Sequence, residues 1–245
     1  MKMKQLLLFA VMLFGLTAYS QETAESLFQK GVNYYQNGKY EEAIDCFKQS
    51  ANQGYVNAQC ILGICYTEGK NVPLNYVEAV KWFRLAADQG DAIAQYSLGL
   101  CYINGNGVNQ DYGLAIEWYS KAANQGYDEA QYNLANCYSF GKGVSQNYTE
   151  AVKWYRKAAE QGHVDAQYSL GVCYASAMGV SENYTEAVKW YRKAAEQGHA
   201  DAQCSLGACY ILGRGVTQNT QKGIEWLRKA ANQGNALAKE LLKVG

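Results

Sequence analysis

The sequence repeats itself every 36 residues, and nothing else in it constrains the fold as strongly. The pair Gln-Gly ends at Gly54, Gly90, Gly126, Gly162, Gly198 and Gly234. All the tryptophans (Trp82, Trp118, Trp154, Trp190 and Trp226) keep the same step. So do the Cys-Tyr pairs that begin at Cys65, Cys101, Cys137, Cys173 and Cys209. A fixed period of this length marks a stacked-repeat architecture, in which each unit buries its apolar face only against its neighbours.

Each unit reads as two helices. In the segment from about Ala94 to Ile103, the residues Ala94, Leu98, Cys101 and Tyr102 share one face at helical spacing. Asn104-Gly105-Asn106-Gly107 ends it, because glycine tolerates the positive φ of a helix terminus. A second helix starts after Asp111, an N-cap residue type, and carries Ala115, Trp118, Tyr119 and Ala122 on one face before Gln125-Gly126 stops it. Gly63, Gly99, Gly171 and Gly207 recur where helices should touch most closely, with Ala135 as the one substitution. A single proline in 245 residues fits a helical chain whose turns are built from Gly and Asn.

The pattern AQxxLGxxYxxGxGV followed by AxxWYxKAAxQG resembles the SEL-one-like (Sel1) repeat, a relative of the tetratricopeptide repeat. The resemblance covers residues 56–235, five full units. It implies an all-α fold, a right-handed α/α superhelical solenoid of about thirteen helices. Residues 236–245 then form a capping helix, with Lys239, Glu240 and Lys243 on a polar closing face. Residues 21–55 look like an ordinary tetratricopeptide unit, through Leu27, Gly31, Tyr34, Gly38-Lys39-Tyr40, Ala43 and Phe47. Spacing supports this: Gly31 to Ala43 is 12 residues, against 16 from Gly99 to Ala115, so the opening pair has a shorter turn.

Residues 1–20 read as a cleaved secretory signal. Lys2 and Lys4 precede an apolar run from Leu6 to Leu16, and Ala18-Tyr19-Ser20 has the small residues a signal peptidase reads. That run is too short to span about 30 Å of hydrocarbon, and no later segment could. The expected location is therefore exported, periplasmic or secreted. Lys+Arg and Asp+Glu both number 22, so no basic excess exists to drive nucleic-acid binding.

Eight cysteines in an exported chain would ordinarily suggest disulfides. Here five share one helical position, and packed helices lie about 8–10 Å apart, beyond the roughly 7 Å reach between bridged Cα atoms. A cysteine-rich branch of the Sel1 family pairs a first-helix Cys with one near the end of the second helix; this chain has Ala87, Ala123, Ala159, Ala195 and Ala231 there. The thiols are therefore read as buried, free and apolar in behaviour. No CxxC or converging His exists for zinc, and no metal or cofactor is expected. His163 and His199, the only histidines, are read as solvated turn residues. No nucleophile has a His partner, so catalysis is not expected.

That leaves a binding role. On the first helices, two positions point away from the core when each residue advances about 100°. In tetratricopeptide proteins the matching positions line a concave groove. The resemblance therefore implies a ligand face made of Ile64, Tyr96, Leu100, Asn104, Tyr132, Asn136, Phe140, Tyr168 and Val172. Its tyrosines and low charge suit an extended protein or peptide partner, or a cell-wall glycan. The tyrosines could equally pack against neighbouring helices. The alternative function is a cell-wall-related protein with weak β-lactamase-like or penicillin-binding activity, as some exported relatives resemble; the SxxK and KTG motifs of serine β-lactamases are absent.

Overall fold

The computed structural model describes residues 22–244, so the proposed signal lies outside the described residues. These residues form thirteen α-helices, with no strand among them. The chain divides into two compact units, one ending at Gln89 and the other beginning at Gly90. The first holds α1 (Ala24–Gln36), α2 (Tyr40–Asn52), α3 (Val56–Glu68) and α4 (Tyr76–Asp88). The second holds α5 (Ala92–Asn104), α6 (Tyr112–Asn124), α7 (Asp128–Phe140), α8 (Tyr148–Glu160), α9 (Val164–Ala175), α10 (Tyr184–Glu196), α11 (Ala200–Leu212), α12 (Thr220–Asn232) and α13 (Ala236–Val244). Within each unit every helix packs on the next in sequence. This is the helix-pair repeat architecture that the 36-residue period requires.

Local chemistry sets the helix ends. Asn75, Asp111, Asn147, Asn183 and Asn219 cap the second helices, each side-chain oxygen accepting from the backbone N–H three residues on at 2.9–3.1 Å. Most first helices end at a left-handed glycine: Gly69, Gly105, Gly141 and Gly213. Helix α9 is the exception. Its equivalent residue is Ala177, held at φ 55°, and the helix stops one residue short.

Small residues let the helices close up. Ala94, Leu98, Ala115 and Ala122 are fully buried, as are their equivalents. A Cβ on Gly99 or Gly171 would stand 2.6 Å from the ring of Tyr119 or Tyr191, which explains the recurring glycine. Each tryptophan of the later repeats packs on the core formed between the second helix of the preceding repeat and the first helix of its own. Trp154 packs on the cluster of Ile116 and Leu134, Trp190 on that of Tyr155 and Leu170, and Trp226 on that of Tyr191 and Leu206. Lys157, Lys193 and Lys229 lie 4.0–4.2 Å from the centroids of these rings.

The two glutamines of the repeat signature form one ladder. Buried Gln131 donates to the Ala123 carbonyl of the preceding repeat at 3.0 Å, and its Oε1 accepts from Gln161 at 2.8 Å. Gln161 also donates to the Gly126 carbonyl at 3.0 Å. The pattern recurs at Gln167 with Gln197 and at Gln203 with Gln233. Carbonyls in the last turn of a second helix thereby gain a side-chain donor from the adjoining repeat, beside the backbone N–H groups they already accept.

Candidate binding face

The first unit carries an apolar groove of about 450 Å³ between its first helices. Val32 and Tyr35 of α1, Phe47 of α2, and Ile61 and Ile64 of α3 line it. Glu68 and Lys70 are its charged members. The Lys70 ammonium lies 5.7 Å from the Tyr35 ring centroid, and its hydrogen bond to Tyr35 raises its pKa above the ordinary lysine value. Ile61 makes this groove apolar: the next repeats carry Ser97, Asn133, Ser169 and Ser205 at that position. Beside it stands Cys60, where Tyr96, Tyr132 and Tyr168 follow. Of the sequence-predicted face, Ile64 falls in this groove. Cys60 is buried, and so is its later equivalent Cys204.

In the second unit the predicted tyrosines are half-buried, and each is wedged between two helices. Tyr96 packs on Tyr119 at 5.7 Å and Tyr127 at 5.2 Å, and Asn133 Nδ2 donates to its phenol oxygen at 3.0 Å. Burial pushes the Tyr96 phenol up to about 12. Tyr132 stacks on His163, and Tyr168 on His199, with ring centroids 4.6 Å apart in both cases. Their other sides meet Tyr155 and Tyr191 at 5.9 Å. The three tyrosines thus join the second helix of one repeat to the start of the next, while keeping a partly open edge. Leu100, Asn136 and Val172 are also half-buried, and Asn136 Oδ1 accepts from the Tyr155 hydroxyl at 2.6 Å. Asn104 is exposed, and Phe140 is the most open apolar side chain of the face at 68% exposure.

The histidines differ from the expectation of solvated turn residues. His163 Nδ1 accepts from Ala166 N at 3.2 Å, which makes it the N-cap of α9 and leaves the proton on Nε2. Nε2 then lies 3.3 Å from Glu129. His199 repeats the arrangement with Ala202 and Asp165. The histidine ring reaches back over the preceding repeat because its tyrosine offers a face to stack on.

All eight cysteines are free and buried. Burial pushes Cys101 and Cys173 up to about 11 and so withholds the reactive thiolate. Among the described residues no group of three or more His, Cys, Asp or Glu side chains could hold a metal ion. No described helix is long and apolar enough to cross a membrane. What the face offers is apolar and aromatic contact with a few amide hydrogen bonds.

Comparison with known proteins agrees with this geometry. The Sel1 repeat profile matches residues 56–91, 92–127, 128–163, 164–199 and 200–235, and a tetratricopeptide repeat profile matches 24–53. A search of curated proteins found no match. Among solved structures, a protein of uropathogenic Escherichia coli, described as a protective antigen displaying an SLR fold, is similar at 37% identity and a TM-score of 0.86. The similarity covers 89% of this chain and 47% of that one, so the chain spans about half of that relative's length. A Sel1 repeat protein from Oxalobacter formigenes is similar at 34% identity and a TM-score of 0.79, covering 88% of this chain and 86% of that one. With five repeat matches over most of its length and relatives of the same architecture, the chain belongs to the Sel1 repeat family, whose fold is a scaffold for protein–protein interaction.

Proposed function

We propose that this chain is an exported scaffold that holds a protein or peptide partner by an apolar segment and transforms nothing. The observation that carries the reading is the groove between α1 and α3, about 450 Å³, walled by Tyr35, Phe47, Ile61 and Ile64. An extended segment inserting one large apolar side chain there would bury it among aromatic and branched neighbours, the usual anchor of a small interface. The second unit has an aromatic surface of its own, the open edge of Tyr132 and Tyr168 and the exposed ring of Phe140. The leader-like residues 1–20 support export, as does similarity to a protein described as a protective antigen.

Selection of a displayed peptide library against residues 21–245 tests this reading. Selected peptides should share an aromatic or long aliphatic residue, and Ile61→Asp with Ile64→Asp should abolish their binding while leaving the helical circular dichroism intact. Peptides that bind the double variant as well as the parent would remove the groove from consideration.

A further inference from the structure

The second unit holds a separate cavity of about 440 Å³ that the binding face above does not use. Ile224, Leu227, Leu241 and Leu242 give it apolar walls, and Thr220 and Arg228 are the polar members of its lining. Its lining departs from the repeat at two positions. Thr220 and Leu227 stand where the preceding repeat has Tyr184 and Tyr191.

The preceding repeats show what chemistry this socket receives. At the position of Arg228 they carry Arg156 and Arg192. Arg156 donates to the Tyr174 hydroxyl, and Arg192 donates to the Tyr210 hydroxyl at 3.1 Å. Each of these tyrosines packs on the apolar cluster beneath it, made in part of Val152 and Leu170 for Tyr174 and of Val188 and Leu206 for Tyr210. Ile224 and Leu242 are the equivalents of those cluster residues in the cavity. Burial alone would raise the Tyr210 phenol; hydrogen bonds from Lys222 and Arg192 outweigh it and hold that pKa below the ordinary value. Arg228 has no hydrogen bond or ion pair among the described residues.

We propose that this cavity is a second binding site, which takes a tyrosine side chain from a partner polypeptide, its ring on Ile224 and Leu242 and its phenol oxygen accepting from Arg228. The guanidinium supplies the charge-assisted bond and the leucines the apolar bed, the same two contributions that seat Tyr174 and Tyr210.

The probe is an acetylated, amidated peptide reproducing residues 206–216, prepared as such and with Tyr210→Phe. Methyl NMR of the Leu and Ile groups of the full chain reads its binding. The tyrosine peptide should shift the cavity methyls saturably, and the Phe peptide should bind roughly tenfold more weakly, since a hydrogen bond to a charged group is lost. Arg228→Ala should erase that difference. Ile224→Asp, which removes the apolar bed of the ring, should block both peptides. Equal binding of the two peptides to the parent chain, or full binding to the Ile224→Asp variant, would overturn the assignment, as would the absence of any cavity shift.

Discussion

The glutamine ladder makes a quantitative prediction at Gln167. Its side chain is only 4% exposed. Nε2 donates to the Ala159 carbonyl at 3.1 Å, and Oε1 accepts from Gln197 at 2.9 Å. Gln167→Leu keeps the shape and removes both bonds. Neither former partner is orphaned: Ala159 still accepts from the Gly162 N–H at 3.1 Å, and Gln197 still reaches the Gly162 carbonyl at 3.3 Å. Two net hydrogen bonds at about 1 kcal/mol each set a loss of about 2 kcal/mol, reduced somewhat by the apolar side chain gained. Gln167→Glu has nearly the same shape and should behave differently. Its carboxylate can accept from Gln197 but faces the Ala159 carbonyl with no proton to give, so a buried charge meets a lone pair. The expected cost near neutrality is about 3 kcal/mol or more. Burial and that carbonyl both raise the pKa of the new carboxyl in the folded chain above about 4.3, the ordinary glutamate value. The folded state then binds the proton more tightly than the unfolded state, so lost stability returns as pH falls through the raised pKa. Urea unfolding of the parent and both variants at pH 7 and pH 4.5 measures this. Equal losses for Leu and Glu at pH 7, or a Glu variant indifferent to pH, would refute the ladder as a source of stability.

Three further outcomes follow from the helix ends, the glycine contacts and the buried thiols. Ala177 occupies a left-handed position at φ 55°, where the other repeats of the second unit have glycine; Ala177→Gly should raise stability by about 1 kcal/mol, read as a higher thermal midpoint. Gly171→Ala would drive a Cβ to 2.6 Å from the Tyr191 ring and 3.2 Å from the Ala187 carbonyl, and should cost about 1–3 kcal/mol by urea unfolding despite alanine's better helix propensity. Cys101 and Cys173 hold their protons to about 11 in the folded chain, against 9.0 for the free thiol. The unfolded chain releases them first, so the thermal midpoint should fall between about pH 9 and 11, and Cys101→Ala with Cys173→Ala should flatten that fall by two protons.

The features legible in the sequence are those that recur at one position in every repeat, because each copy is tested against the same neighbours. Trp154, Trp190 and Trp226 pack on the core between adjoining repeats in one pattern, and a regular step of 36 reports it directly. The glycines facing Tyr119 and Tyr191 are legible for the same reason. Side-chain direction on one helix was harder to turn into a role. The helical wheel turns Tyr132 away from its own core, yet says nothing of what the next repeat sets there. In the fold that neighbour is His163, 31 residues on, stacked on the tyrosine while its Nδ1 caps α9. The signal was present in the pair of His163 and His199 at one repeat position, each followed three residues later by an alanine whose N–H needs an acceptor.

The groove of the first unit teaches the converse, because its lining departs from the repeat. It owes its apolar character to Ile61, where the later repeats carry a serine or asparagine. At Ile61 the departure is an apolar residue in place of a polar one, beside copies that keep the pattern. For a chain of this kind, the period therefore locates the scaffold, and the departures from it locate the surfaces on which a partner could be held.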